Sequence, residues 1–326
     1  MNRQYIQLAG LDGSNPLAFL AALGLLRSAA RIRPCSKLCW STGSFYAVLH
    51  GWEPEERDAL ADAAVSAITT ACSILSETNY PSVIPSVRVK PCRDFCRAAI
   101  VSGDPMHLGL ASSLSCEGAR YLWEPNARQK KQGVQPEERA RGSRLCNADN
   151  PGGKRLIGMF RQFPRILATT IAGESRNLKS FVTAVFDSWE YHSSGDYAGA
   201  VKFPAFRWDP AENRPAAHEA ANPDGDNLPS IPGANALAVL GLTFFVTAPT
   251  PEAITACVDR EDRRDRFTWP LWEMPLGCDA ISSLLVNSSL WIDPLRRTKI
   301  GVASVFRCMR QTTDNGSHFF LDSFAI

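Results

Sequence analysis

The hydrophobic pattern opens with Tyr5-Ile6-Gln7-Leu8, a loosely alternating run that predicts a strand, closed by the turn residues Gly10-Leu11-Asp12-Gly13. Asn15 follows as a good helix N-cap and Pro16 suits the first helical position. From Pro16 to about Ala30 apolar residues occupy nearly every face, which predicts a core helix rather than a surface one. Gly24 costs about 1 kcal/mol against Ala inside a helix, so close backbone packing is its expected purpose. Leu38-Cys39-Trp40 and Phe45 to Leu49 predict two short strands around a turn at Thr42-Gly43. A second helix is expected from Pro54 to Leu75, with acids in its first turn and a stripe of Leu60, Ala64, Ile68, Ala71 and Leu75.

Further on, periodicity weakens. From Arg88 to Arg165 prolines, glycines and basic residues dominate, and a loop-rich stretch is expected. A helix is predicted from about Ser175 to Tyr191, with Leu178, Phe181, Val182, Val185, Phe186 and Trp189 on one side. Asp209 to Pro232 holds five prolines and predicts a long polar loop. Ala236 to Val246 suits a helix or a buried strand; Pro251 to Val258 and Asp279 to Val286 predict short helices; Gly301 to Arg310 predicts a late strand. No internal repeat is visible. The fold class expected is α+β, in three units: 1–87 an N-terminal α+β unit, 88–168 a basic, loop-rich region, and 169–326 a mixed C-terminal domain.

Composition adds a globular class: 326 residues, 45% hydrophobic and 21% charged. Ten cysteines spread over so long a chain predict a reduced, cytoplasmic protein rather than a disulfide framework. The longest apolar run, Pro16 to Leu26, imitates a signal peptide but reads better as a buried helix, so no membrane contact is expected.

Charge changes the picture most. The net charge of +2 conceals an asymmetry: the window from Arg88 to Arg165 holds 15 Lys or Arg against 7 Asp or Glu. The remainder holds 20 basic and 26 acidic residues. Arg128, Lys130, Lys131, Arg139, Arg141, Arg144, Lys154 and Arg155 form the densest part, interleaved with Gly133, Gly142, Gly152 and Gly153. A mobile basic loop of this kind suits contact with nucleic-acid phosphates, driven by counterion release. The neighbouring Tyr121 and Trp123 suit stacking on unpaired bases. A solvated loop that binds nothing is the plainer alternative.

Candidate chemistry is thin. Cys35/Cys39 and Cys92/Cys96 have zinc-ligand spacing, but no histidine lies beside either pair, and buried free thiols explain them as well. None of the five histidines is followed by Asp, and no His-x-x-x-His pair occurs. Gly152-Gly153-Lys154-Arg155 lacks the upstream glycine and the Ser or Thr of a phosphate-binding loop. Asp187, Glu190 and His192 imitate an acid/base cluster but suit a solvated helix end. Glu261 to Arg266 mixes signs and suits a surface segment or subunit contact. No enzyme activity, cofactor or metal is expected.

Three stretches carry a resemblance: LAGLDGSNPLAFLAALGLLR from Leu8 to Arg27, RWDPAENR from Arg207 to Arg214, and GANALAVLGL from Gly233 to Leu242. Together, in this order, they resemble proteins encoded with type I-G (formerly I-U) CRISPR effector complexes. The resemblance implies a non-catalytic, large-subunit-like component of a Cascade-type surveillance complex. Its implied partners are CRISPR RNA, target DNA with its protospacer-adjacent motif, the other effector subunits and a recruited helicase-nuclease. In such systems base pairing reads most of the sequence and protein reads the short motif and the backbone. The chain is short for a large subunit, so an accessory or scaffold protein is a second expectation, and a metal-dependent nuclease a third. The matched positions look structural, and no motif-reading residue is carried over.

Overall fold

The computed structural model describes residues 4–78, 86–145, 156–166, 169–171, 174–191, 205–212, 230–249, 254–261, 264–312 and 318–326. The fold is α+β. Its first unit is β1 (Tyr5–Asp12), α1 (Pro16–Ile32), β2 (Lys37–Trp40), β3 (Tyr46–His50) and α2 (Arg57–Glu77). The three strands pair antiparallel in the order β1-β3-β2. Asn15 caps α1 as expected: its Oδ1 accepts from the backbone N–H groups of Leu17 and Ala18. The turn between β2 and β3 needs left-handed backbone at Gly43 and at Phe45, so β3 starts one residue later than the pattern suggests.

The stretch expected as loop is largely regular. Residues 86–145 form β4 (Ser86–Arg88), α3 (Val89–Ser102), α4 (Pro105–Leu114), β5 (Ser115–Trp123), α5 (Ala127–Lys131) and β6 (Glu137–Gly142). β4, β6 and β5 make an antiparallel sheet in that order. Two short helices, α6 (Leu156–Phe160) and α7 (Phe163–Ile166), and a small hairpin of β7 (Thr169–Ile171) and β8 (Glu174–Arg176) follow.

Helix α8 spans only Leu178–Ala184, shorter than its apolar pattern predicts. Asn177 caps its start by accepting from the Ser180 N–H. Its end is set by tertiary contact: the Val185 and Asp187 carbonyls lie where a side chain on Gly10 would stand, 2.1 Å from an ideal Cβ. The chain leaves the helix to lie against β1. The ambiguous segment is α9 (Pro232–Gly241), buried at every position. Helices α1, α2, α8 and α9 pack together.

The C-terminal part is built on β9 (Thr247–Ala248), β10 (Ile254–Thr255), β11 (Val258–Glu261), β12 (Arg264–Trp272), α10 (Cys278–Val286), α11 (Pro294–Lys299), β13 (Val302–Thr312), β14 (His318–Phe320) and β15 (Phe324–Ala325). The helix expected near Pro251 to Val258 is instead strand within the described residues. Cys257 turns there with φ +63°, which a helix cannot accommodate. β11, β12, β13 and β14 pair in order, and β15 also pairs with β13. Phe19 of α1 meets Trp40, Phe267, Trp269 and Trp272, joining both sheets. The indole N–H groups of Trp269 and Trp272 donate to the carbonyls of Gly13 and Leu38, each at 2.8 Å. One hydrophobic cluster takes residues from all three expected units. Helix α2 and the turn before it are long and apolar enough to cross a bilayer by length and composition, but the apolar stripe of α2 is buried against the other helices.

Candidate nucleic-acid interface

Arg128, Lys130, Lys131, Arg139 and Arg141 sit on a hairpin with a helical tip rather than on a loop. Asn126 and Gln129 form a capping box: the Asn126 side-chain Oδ1 accepts from the Gln129 N–H, and the Gln129 side-chain Oε1 accepts from the Asn126 N–H, both at 2.9 Å. That starts α5 directly after β5. Gly133, at φ +78°, lets the chain leave it toward β6. Arg128, Lys130 and Lys131 therefore lie on one short helical turn, all exposed.

Below the tip, strand register sorts the side chains. Tyr121 stands opposite Arg139, Trp123 opposite Glu137, and Arg88 of β4 opposite Arg139 on the other side. Directly opposed residues and those two apart along a strand share a face. Arg88, Tyr121, Trp123, Glu137, Arg139 and Arg141 thus belong to one face of the sheet. Ala140 belongs to the other, buried in the core with Cys92 and Phe95 of α3.

On that first face the arginines cover the aromatic rings. The Arg139 guanidinium lies 3.7 Å from the Trp123 ring centre, and that of Arg141 lies 4.6 Å from the Tyr121 ring. Tyr121 and Trp123, expected to stack on unpaired bases, each already carry a guanidinium on one side of the ring. Arg139 also pairs with Glu137 at 2.6 Å, and Glu137 meets Arg88 at 3.1 Å. Burial pushes the Glu137 carboxyl up, but Arg139 and Arg88 outweigh it and hold it below the usual carboxylate range. The hydrogen bond from Arg93 likewise lowers Glu117, which Arg120 also meets. Lys130 pairs with Glu124 at 3.1 Å. Among the described residues Arg128 and Lys131 have no ion pair.

One correction concerns a predicted residue itself. Arg144 is structural: its Nη1 lies 2.8 Å from Asp265, a residue only 7% exposed, and Arg310 meets the same carboxylate. This triad fastens the end of β6 to β12 and β13. Lys154 and Arg155 lie outside the described residues. Sequence reasoning missed Arg88, Arg93 and Arg120, and the glutamates between them. The period-two runs Tyr121-x-Trp123 and Glu137-x-Arg139-x-Arg141 were the signal for a strand pair.

The four-thiol zinc arrangement does not form. Cys39 lies on β2 with its Sγ 3.4 Å from His50 Nε2, and burial pushes its thiol up to about 11. Cys35 is exposed after α1, while Cys92 and Cys96 lie on α3. Among the described residues no group of three or more His, Cys, Asp or Glu is placed to hold a metal. Asp187 is an exposed partner of Arg57 at 3.0 Å, and His192 lies outside the described residues. Of the mixed-sign run, Arg266 pairs with Glu261 and with Asp259 across the β11–β12 hairpin.

The three matched stretches converge. Asn15 Nδ2 donates to Asp209 Oδ1 at 3.0 Å, and the Tyr191 hydroxyl donates to Asp209 Oδ2 at 2.7 Å. Glu212 is fully buried and accepts from the Arg207 N–H, Ser230 and Asn235. Burial first, then the Asp209 charge, pushes the Glu212 carboxyl up to about 8 despite those three donors. Residues 213 and 214 of the second stretch lie outside the described residues. The chain matches no family model, and no curated protein matches it.

Proposed function

We propose that this chain is a non-catalytic, large-subunit-like component of a CRISPR RNA-guided DNA surveillance complex, in which the β5–α5–β6 hairpin contacts nucleic acid. The observation that carries the reading is the concentration of positive charge on this hairpin and its surroundings. Residues 86–145 hold eleven Lys or Arg against six Asp or Glu, in a protein whose net charge is only +2. The joining of the three matched stretches around Asn15, Asp209, Glu212 and Asn235 supports the resemblance by giving those positions a shared structural role. The partners are guide RNA, target DNA near the protospacer-adjacent motif, neighbouring effector subunits and a recruited helicase-nuclease.

The test is co-purification with a guide-RNA complex, followed by target binding with Arg128→Ala, Lys130→Ala and Lys131→Ala combined. Each lost phosphate contact lowers the salt dependence of binding by about one unit of slope. Target affinity falls and becomes less salt-dependent if the hairpin tip meets phosphates. Unchanged target binding removes the hairpin from the site, and failure to join any guide-RNA complex removes the function.

A further inference from the structure

We infer that the hairpin recognises an unpaired strand rather than duplex nucleic acid; this rests on the reading above. Three observations carry it. First, the element is the wrong shape for a duplex groove reader. Its only helix, α5, is five residues long and closes a sheet, whereas major-groove readers present a helix of several turns or a free two-stranded ribbon. Here β6 is flanked on both sides, by β4 and β5, and α3 backs the sheet.

Second, the cationic side chains are heavily neutralised. Arg139 shares Glu137 with Arg88, Arg120 meets Glu117 and Glu138, and Lys130 meets Glu124. Arg128 and Lys131 at the tip, with the one positive charge left where Arg88 and Arg139 share Glu137, leave about three charges for phosphates. Duplex affinity is built mainly on phosphate neutralisation, and three contacts supply little of it. Third, what the face does offer is planar surface. Tyr121 and Trp123 are two apart on one strand, about 6.8 Å between their Cα atoms. Each ring is stacked with a guanidinium from β6, and both are only half-buried. Aromatic rings and guanidinium planes take bases that are splayed out of a helix, which a duplex does not present.

The experiment uses the full chain and one labelled 20-nucleotide sequence in three forms: single-stranded DNA, single-stranded RNA and duplex DNA. Fluorescence anisotropy is measured across a salt series. Both single strands are expected to bind at least tenfold tighter than the duplex, with a logarithmic salt slope of about −2 for three contacts. Trp123→Ala is expected to weaken single-strand binding about tenfold, and Trp123→Phe less. Circular dichroism of both variants separates lost binding from lost folding. A ratio between the DNA and RNA strands identifies which is the natural ligand class. Duplex binding as tight as single-strand binding overturns this inference and leaves the proposed function standing. A folded Trp123→Ala variant with unchanged single-strand affinity also overturns it. Absence of binding to all three probes overturns both.

Discussion

Asn15 does two jobs with one side chain. Its oxygen caps α1 and its nitrogen holds Asp209, so Asn15→Ala removes a cap worth about 1 kcal/mol and also strips a donor from a buried carboxylate. A loss of about 2 kcal/mol or more in urea denaturation is expected; a loss below about 0.5 kcal/mol would show that neither bond matters. Glu212 makes a pH prediction. Its carboxyl titrates at about 8 folded against an ordinary 4.5, so the native state holds an extra proton between those values. That contribution is full below about 4.5 and is lost as pH rises through 8. Unfolding by urea at pH 5 and pH 8 should show less stability at the higher pH. Glu212→Gln sets an N–H against the Arg207 N–H and so starts less stable, but its stability should not fall across that interval. An equal fall in both proteins would place the effect elsewhere. The Asn15 cap was legible because Asn-Pro before an apolar run has one good local explanation. The role of Glu212 was not, because burial of a carboxylate depends on residues far away in sequence.

Helices α1 and α9 are held at backbone contact by reciprocal glycines. An ideal Cβ on Gly24 would lie 1.9 Å from the Leu237 carbonyl oxygen, and one on Gly241 would lie 2.0 Å from that of Leu20. Gly24→Ala must therefore push the helices apart despite its better helix propensity, and a cost of about 1–3 kcal/mol is expected. Gly277→Ala, which meets nothing within 4 Å, serves as the control and should stay within about 0.5 kcal/mol. Thermal melting of the two variants decides it: equal melting temperatures would mean the helix pair is loose. Periodicity predicted α1, α2, α10 and β13 because each has a face that local sequence alone defines. It failed for β5 and β6, where charged rather than apolar residues hold alternate positions of an exposed sheet face. It overextended α8, whose end is decided by packing against Gly10.

At the scale of the whole molecule, Asp265 ties the basic hairpin's sheet to the C-terminal sheet through Arg144 and Arg310. Arg310 also donates to the Arg144 carbonyl at 2.8 Å, so loss of the carboxylate leaves two mostly buried cations facing each other. Asp265→Ala is expected to cost about 3–5 kcal/mol, read by urea denaturation. A cost below about 1 kcal/mol would mean that water replaces the carboxylate. This triad explains why Arg144 cannot be assigned from charge alone: a basic residue in a basic window was bound for the interior. Local pattern was enough for the α+β class, the capped core helix, the glycine contact at its centre and the uneven distribution of charge. These are properties of local spacing and composition, and they survive without knowledge of neighbours. Which cations pair with acids, which aromatic rings are covered and where three distant stretches meet came from the fold. Those outcomes depend on strand register and long-range packing, which bring together residues that no local pattern connects.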